Sequence, residues 1–267
     1  MPRDLDARPA LASHREMLMQ PGEYRVMYEV EDVYWWYRGL RALVRELLAR
    51  YAAPLKPPLT ILDAGCGTGA NLELLQTYGH AIGIDLSEEA IGFCRTRKVP
   101  ASRTLLASIT ELPFPNAFFD LAVSFDVICN IPDDASAFRE IARVLKPGGR
   151  FIVQLPAYSW LWSTHDVAVG HQRRYSRPGL RESLVQAGFQ VERLTHTNTL
   201  FLPLAIAERL RRRRITNHDH AVQSDLATPL PAWLNNGLSA SVVAEMRLAA
   251  RVDLPVGLSI LGVVRKR

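Results

Sequence analysis

A short glycine-rich segment, residues 63–69 with the sequence DAGCGTG, lies between an apolar run and a helical pattern. Glycine lacks a Cβ, so it adopts positive φ freely and lets the backbone approach a ligand closely. A helix that follows such a loop offers free N–H groups to a carboxylate or a phosphate. Asp85 ends the next apolar run, 20 residues after Gly65, where a carboxylate can accept hydrogen bonds from both hydroxyls of a ribose. Together these residues predict a nucleoside-binding site.

The same glycines fit more than one nucleoside. Gly65, Gly67 and Ala70 also satisfy the dinucleotide fingerprint G-x-G-x-x-G/A, and an acid at the position of Asp85 would serve NAD equally well. A glycine turn that binds no ligand is a further interpretation, which the strand–loop–helix context disfavours. The pattern alone therefore leaves NAD and other adenosine-containing cofactors open.

The elements that must position this site alternate regularly along the chain. Ser87 followed by two glutamates predicts a helix start, and the segment 146–149 (KPGG) predicts a helix end and a turn. Strands separated by single helices indicate βαβ units and a parallel sheet covered on both faces. The predicted strands span 60–64, 81–85, 103–107, 119–124 and 150–155, and the predicted helices between them span 69–77, 88–96 and 133–146.

The flanks of this core add further elements. An amphipathic helix is predicted over 33–51, before the proline-rich linker 54–58, and a capped helix over 176–187 precedes a strand over 189–197. The last strand lies within 257–264. We predict four parts: an N-terminal helical lid and linker (1–58), a core (59–199), an insertion (200–253) with helices over 200–214 and 232–251 joined by a polar linker (216–229), and a final core strand (254–267).

Four segments between Ile61 and Leu155 carry a resemblance to a known family. In chain order they are LDAGCGTG, IGIDLS, LPFPNAFFDLAVS and REIARVLKPGGRFIV. This stretch resembles the class I S-adenosylmethionine-dependent methyltransferases, in particular the type 11 group that includes the ubiquinone and menaquinone C-methyltransferases. The resemblance covers about 95 residues and implies a Rossmann-like α/β fold. We therefore expect a seven-stranded, mostly parallel sheet with helices on both faces and the last strand antiparallel.

The resemblance also implies which residues hold S-adenosylmethionine. The glycines would pack under its methionine part, with Asp63 near its amino group; they are Gly65, Gly67 and Gly69. Asp85 would accept hydrogen bonds from the ribose hydroxyls, and Leu86 would lie against the adenine.

Four more positions are implied around the adenine and the sulfonium. Ser108 and Ile109 stand where the family usually has an acid followed by an apolar residue beside the adenine. Ser108 departs from that pattern, because a neutral hydroxyl accepts a hydrogen bond more weakly than a carboxylate. Phe125 and Asp126 follow the fourth strand, beside the sulfonium in this fold.

Aromatic side chains are concentrated in the segment 34–39 (YWWYRG). Four consecutive rings cannot all face one side of a helix, so some must face a lid interface or a ligand. Similar segments recur in the N-terminal helix that covers the cofactor in this methyltransferase group. We expect Trp36 at the cofactor and Arg38 on its carboxylate by bidentate pairing, with core packing and a surface arginine as the alternatives.

The loop 156–175 follows the fifth strand and should line the acceptor side, because ligands of open α/β sheets bind beyond the carboxyl ends of the strands. A hydroxyl or ammonium acceptor must lose a proton when it is methylated, which suits histidine near neutral pH. His165 and His171 are the candidate catalytic bases, followed by Tyr175. Hydrogen bonding that only holds the loop together is the alternative role, and the spacing does not indicate a metal site.

The segment 200–214 (LFLPLAIAERLRRRR) combines an apolar half with a cationic end. It could dock on a surface of anionic lipid, cap the acceptor pocket or form a dimer contact. A basic stretch can also attract nucleic acid or acidic metabolites, and it can equally be a solvated helix end. We expect a monomer or a homodimer, with peripheral membrane contact through this segment as one hypothesis.

Composition limits the class of protein. The chain has 267 residues, 48% hydrophobic and 22% charged, with a net charge of +5, as in ordinary soluble globular proteins. Its three cysteines are far apart and form no C-x-x-C pair, which predicts no zinc site or disulfide framework and suits a reducing cytoplasm. The N-terminus has charges throughout and does not resemble a secretory signal.

The predicted function is methyl transfer from S-adenosylmethionine to an O, N or C atom of a small-molecule acceptor, either free or linked to a lipid or glycan, without a metal. A nucleic-acid methyltransferase is disfavoured, because residues 126–132 (DVICNIP) lack the [DN]-P-P-[FY] motif of enzymes that act on exocyclic base amines. An NAD-dependent oxidoreductase and a non-catalytic cofactor-binding protein are the remaining alternatives.

Overall fold

The computed structural model describes residues 19, 22–97, 99–214 and 230–267. Residues 1–18 of the predicted N-terminal segment and the whole predicted polar linker 216–229 lie outside the described residues.

A seven-stranded sheet forms the centre of the fold. Its strands are β1 (Leu59–Ala64), β2 (Gly79–Asp85), β3 (Thr104–Leu106), β4 (Phe119–Phe125), β5 (Leu145–Pro156), β6 (Phe189–Thr197) and β7 (Ser259–Lys266). They lie in the order β3-β2-β1-β4-β5-β7-β6. The first five are parallel, and β7 runs antiparallel to both β5 and β6. The predicted fold class, with its antiparallel last strand, is confirmed.

The helices cover both faces of the sheet. They are α1 (Glu23–Val30), α2 (Trp35–Leu47), α3 (Ala70–Leu75), α4 (Glu88–Thr96), α5 (Asp134–Val144), α6 (Thr164–Ala168), α7 (Arg177–Gln186), α8 (Leu202–Arg214) and α9 (Ala232–Ala249). Successive strand residues point to opposite faces. Accordingly, Ile61 packs in the core with α2, α3, α4 and α9, and its neighbour Leu62 packs in the core with α5 and α7.

Three helices and one turn differ from the prediction. Helix α6 lies inside the predicted loop 156–175. Helix α1 is not in the prediction, although Tyr24 and Met27 lie at helical spacing on its inner side. The predicted helix 33–51 begins at Trp35 and ends as a π-helical turn over Leu48–Ala52. The predicted turn at 146–149 lies inside β5, where the register against β4 shifts between Phe119 and Leu121. These turn residues therefore form a bulge at the start of the strand.

The insertion helices return to the N-terminal region. Helix α9 packs along α2, where Asn235 accepts a hydrogen bond from the backbone of Trp35 at 3.0 Å and donates one to the carbonyl of Val33 at 2.9 Å. The division into lid, core and insertion remains a prediction. Among the described residues, none of the helices combines the length and apolar character needed to cross a bilayer.

Gly39 allows this close approach of α2 to α9, because a Cβ built there would lie 2.0 Å from a methyl carbon of the buried Val242. We expect Gly39→Ala to lower the free energy of unfolding by about 1–2 kcal/mol through overpacking. Gly92→Ala in α4 is the matched control: its Cβ would meet nothing within 4 Å, so it should stabilise the helix by about 0.5–1 kcal/mol. Urea denaturation measures the free energy of unfolding of both variants. If both substitutions change it equally and with the same sign, the close packing of α2 on α9 at Gly39 is contradicted.

Candidate active site

A cavity of about 710 Å³ opens at the carboxyl ends of the parallel strands. Gly65 follows β1, Asp85 ends β2, Asp126 follows β4 and Pro156 ends β5, and all four line the cavity. The site therefore lies where open α/β sheets bind their ligands.

The glycine loop forms one wall of the cavity. Gly65 has a φ of +84°, and a Cβ at this position would lie 2.4 Å from the methyl carbons of Val127. Its N–H donates to the carbonyl of Ile84 at 2.9 Å, which ties the loop to β2. Only glycine fits this conformation and contact together, so the loop presents bare backbone to the cavity.

Asp85 is held by the backbone on both sides. One carboxylate oxygen accepts a hydrogen bond from the Gly67 N–H and the other from the Ser87 N–H, each at 2.9 Å. Tyr24, from α1, lies beside this carboxylate and lowers its pKa. Burial raises the pKa of Asp85, and these hydrogen bonds oppose the rise. The carboxylate is thus fixed at the edge of the cavity.

Asp63 lies beneath the loop and does not line the cavity. It is buried, and its Oδ2 has no hydrogen-bond partner. Burial, with a contribution from the neighbouring charge of Asp85, raises the pKa of Asp63 to about 7. A buried carboxylate oxygen without a donor is costly, and a cationic amino group near the loop would satisfy it.

We expect Asp63→Asn to raise the free energy of unfolding at pH 8 by on the order of 1–4 kcal/mol. An aspartate in the unfolded chain ionises near pH 4, so the native state loses stability as pH rises from there to about 7, and the full cost applies above that pH. The gain should therefore be larger at pH 8 than at pH 5 in denaturant titrations. The control is Glu73→Gln, which changes an exposed acid in α3. A gain in the free energy of unfolding of Asp63→Asn that does not depend on pH would contradict the raised pKa of Asp63.

Apolar side chains line the cavity next to Asp85. Leu86, Ile109 and Phe125 line it, and their contact with the cofactor remains a prediction. Ser108 also lines it, and its hydroxyl contacts the hydroxyl of Thr110 at 2.8 Å and accepts from the Thr110 N–H at 3.2 Å. This part of the cavity lining is therefore mostly apolar, with the hydroxyl of Ser108 among it.

Asp126 carries its carboxylate into the cavity from a strained backbone position. Its φ is +56°, which non-glycine residues rarely adopt. The backbone N–H donates to the carbonyl of Gln154 at 2.9 Å, and the Gln154 amide donates to the carboxylate at 3.2 Å. Burial raises the pKa of Asp126, while Gln154 and the nearby His171 and Arg174 act in the opposite direction. Strain of this kind is typical of functional positions.

A buried aspartate organises the loop after β5. Asp166 accepts from the Ser163 N–H at 2.8 Å and from two nitrogens of Arg174 at 2.7 and 3.0 Å. His171 Nδ1 lies 2.8 Å from the same carboxylate. Although burial alone would raise the pKa of Asp166, the hydrogen bonds from His171 and Arg174 hold it well below its usual range. The ring of His171 is therefore fixed through Nδ1, and the residue lines the cavity.

The other two predicted bases are placed differently. His165 lines the cavity, with its ring centroid 6.3 Å from that of His171 and the two rings perpendicular. Tyr175 does not line the cavity: its hydroxyl donates to Asp134 at 2.7 Å, and burial raises its pKa above the usual range. This hydrogen bond anchors the end of the loop to α5, so we do not propose Tyr175 as a base.

Helix α2 closes the cavity with aromatic rings. Trp35, Trp36 and Tyr37 line it, and Trp35 packs on Phe201 with centroids 4.7 Å apart. Arg38 points elsewhere, because its guanidinium donates to the amide oxygen of Asn236 at 3.2 Å. We therefore do not propose Arg38 as a ligand of the cofactor carboxylate.

Helix α1 covers the glycine loop, and sequence reasoning missed it. Met27 lies close to Gly67, and Tyr24 is buried. The turn after α1 is held to the core, since Glu31 accepts from the Thr68 hydroxyl and from Arg97 at 2.7 Å. The apolar spacing of the helix was the available indication, but the contacts are long-range and have no local signature.

The other two glycines of the loop have different surroundings. Gly67 lines the cavity, whereas Gly69 caps the N-terminus of α3 with a φ of +89° and packs against Cys94. On the acceptor side α8 contributes Leu204, Ala205 and Arg209. No group of three His, Cys, Asp or Glu side chains in the described residues is arranged to hold a metal ion.

Comparison with known proteins agrees with this geometry. Residues 62–153 match a family model described as a methyltransferase domain. A probable S-adenosylmethionine-dependent methyltransferase of Mycolicibacterium smegmatis is 33% identical over 174 residues, which is 64% of this chain and 65% of the relative. The chain thus spans just under two thirds of that relative.

Two solved structures share the fold. An S-adenosylmethionine-dependent methyltransferase from Thermotoga maritima has a TM-score of 0.57 at 20% identity, covering 92% of this chain and 96% of that one. The cyclase SpnF has a TM-score of 0.54 at 24% identity, covering 85% and 81%. Residues 62–153 are thus similar to a methyltransferase domain, and the chain has the Rossmann-like fold of these structures.

Proposed function

We propose that this protein transfers a methyl group from S-adenosylmethionine to a small, largely apolar acceptor. The observation that carries the proposal is one cavity lined by Asp85, by the aromatic side chains of α2 and by apolar residues of α8. Similarity to named methyltransferases supports it. The similarity in fold to a cyclase means that methyl transfer itself must be measured.

The residues present fit this cofactor. Asp85 would accept hydrogen bonds from the ribose hydroxyls, and the adenine would lie between Leu86 and Ile109 beside Ser108. The amino group would lie next to the bare loop at Gly65, where the buried carboxylate of Asp63 beneath the loop would attract its positive charge. When bound, S-adenosylmethionine supplies an electrophilic methyl group on a positively charged sulfur.

His171 is the proposed catalytic base. Asp166 holds Nδ1 of the ring, so Nε2 would accept the proton that the acceptor loses. Arg174 keeps Asp166 ionised, and Asp126 places a carboxylate in the same part of the cavity. The apolar walls exclude water and orient the acceptor, which is most of what an in-line displacement requires.

Calorimetry tests the nucleoside part of this proposal. The purified chain should bind S-adenosylhomocysteine and should not bind NADH. Methyl-labelled S-adenosylmethionine should then transfer label into the organic extract of cells in preference to the aqueous extract or RNA. Binding of NADH without binding of S-adenosylhomocysteine would favour an oxidoreductase, and nucleoside binding without transfer would favour a non-catalytic protein.

We further propose that the acceptor arrives from an anionic lipid surface. Trp160, Trp162 and Leu204 are exposed on elements that contact one another beside the cavity, and Leu161 between the tryptophans lines it. The helix that carries Leu204 continues into arginines 211–214, whose charge would complement such a surface. Replacing Arg211–Arg214 with glutamine should abolish co-sedimentation with anionic liposomes. Unchanged co-sedimentation would remove this proposal.

A further inference from the structure

A groove of about 490 Å³ runs between α2 and α9. The residues of α2 that line it, among them Arg38, Arg41 and Arg45, lie three and four positions apart and so share one face of the helix. Trp36 and Leu40, which line the main cavity, belong to another face. The groove is thus separate from the candidate active site.

Positive charge dominates the groove. Arg247 from α9 joins the three arginines of α2. Of the two acids that line it, Asp32 pairs with Arg41 of the groove at 2.8 Å and with Arg97 outside it at 3.1 Å, and Glu46 lies 2.9 Å from Arg251. Three of the four guanidinium groups, those of Arg38, Arg45 and Arg247, form no ion pair among the described residues, so the groove keeps an excess of positive charge.

Several donors in the groove have no acidic partner. Within the part of the chain that the structure describes, the side chains of Arg45 and Arg247 make no hydrogen bond or ion pair, and the side chain of Arg38 donates only to the amide oxygen of Asn236. Like charges brought together by folding repel one another, so an anion in the groove would relieve this repulsion.

A second, independent observation points to a ligand. Ser239 of α9 lines the groove with 5% of its surface exposed, and its hydroxyl has no hydrogen-bond partner. A buried hydroxyl without a partner is unfavourable. An anion held by the arginines would accept its hydrogen bond.

We propose that this groove binds a phosphate group. The planar guanidinium presents paired N–H donors that match phosphate oxygens, and the groove offers several of them together with a hydroxyl. The phosphate could belong to a soluble pyrophosphate-type ester or to the headgroup of an anionic lipid. Because α2 also carries the aromatic wall of the cavity, a bound phosphate would tie α2 to α9 and stabilise that wall.

Calorimetry with inorganic pyrophosphate on the full chain, at constant ionic strength, tests the site. We expect binding that Arg45→Gln with Arg247→Gln weakens by roughly tenfold or more, and that Ser239→Ala weakens to a smaller extent. The matched control replaces two exposed helical arginines elsewhere, Arg95→Gln with Arg181→Gln. Equal weakening by the control pair would overturn the proposal, because the effect would then follow net charge alone.

Vesicles distinguish the two sources of phosphate. A lipid headgroup would be assigned if the unmodified chain binds phosphatidylglycerol vesicles but not phosphatidylcholine vesicles, and if the Arg45→Gln, Arg247→Gln double variant no longer binds the phosphatidylglycerol vesicles. Pyrophosphate binding without this vesicle effect would assign a soluble ester. The proposal is overturned if neither pyrophosphate binding nor this vesicle effect is observed. Calorimetry with S-adenosylhomocysteine should be unchanged in the same variants, so failure here is distinguishable from failure of the proposed methyl transfer.

Discussion

Replacing Asp85 with alanine should weaken the binding of S-adenosylhomocysteine about 100-fold or more. The proposed contacts are two hydrogen bonds from ribose hydroxyls to a carboxylate, and hydrogen bonds to charged groups contribute about 1.5–3 kcal/mol each. The carboxylate is pre-positioned by the N–H groups of Gly67 and Ser87. Asp85→Asn should have a smaller effect, because the amide keeps one acceptor oxygen.

The control for this prediction is Glu88→Ala, which removes an exposed acid three residues away at the start of α4. It should bind S-adenosylhomocysteine like the unmodified chain. Circular dichroism and thermal melting should show that Asp85→Ala remains folded. If the folded Asp85→Ala protein binds the nucleoside undiminished, the proposed site is wrong.

The second large effect is expected at His171. His171→Gln should lower the rate of methyl transfer by about 10²–10⁴-fold, the range typical of losing a general base. Binding of S-adenosylhomocysteine should be nearly unchanged, because His171 would act on the acceptor. Asp166→Asn should also slow transfer, since the ring would lose the partner that orients Nδ1.

The rate is measured with labelled S-adenosylmethionine and the extract that accepts the label. His80→Gln is the matched control, because His80 is exposed and contacts only Arg103 among the groups described. Full transfer by His171→Gln would show that this histidine is not the base. Attention would then move to His165, which lines the same cavity, or to an acceptor that loses no proton.

Local sequence was sufficient for the core of the fold. The strands and the glycine loop follow from contiguous patterns, so Gly65, Asp85, Leu86 and Ile109 could be predicted and all line the cavity. The bulge at the start of β5 could not, because its proline and glycines equally suit a turn. Elements whose pattern lies within a short stretch of the chain can therefore be predicted from the sequence.

Side-chain direction across the cavity could not be derived in this way. Arg38 and Trp36 are two residues apart, yet one reaches Asn236 while the other faces the cavity. Likewise, His171 and Tyr175 lie on one loop, but they have different hydrogen-bond partners. His171 contacts Asp166, whereas Tyr175 donates to Asp134 of α5. Such distinctions depend on tertiary contacts between segments far apart in the chain.

Tyr24 places a phenol from α1 beside the carboxylate of Asp85 and lowers the pKa of that carboxylate. The proposed ribose hydroxyls would therefore meet an acceptor whose surroundings are set partly by another element. The affinity for the nucleoside would then depend on how often α1 holds the phenol in this position. Residues of α1 that never contact the acceptor could therefore tune selectivity.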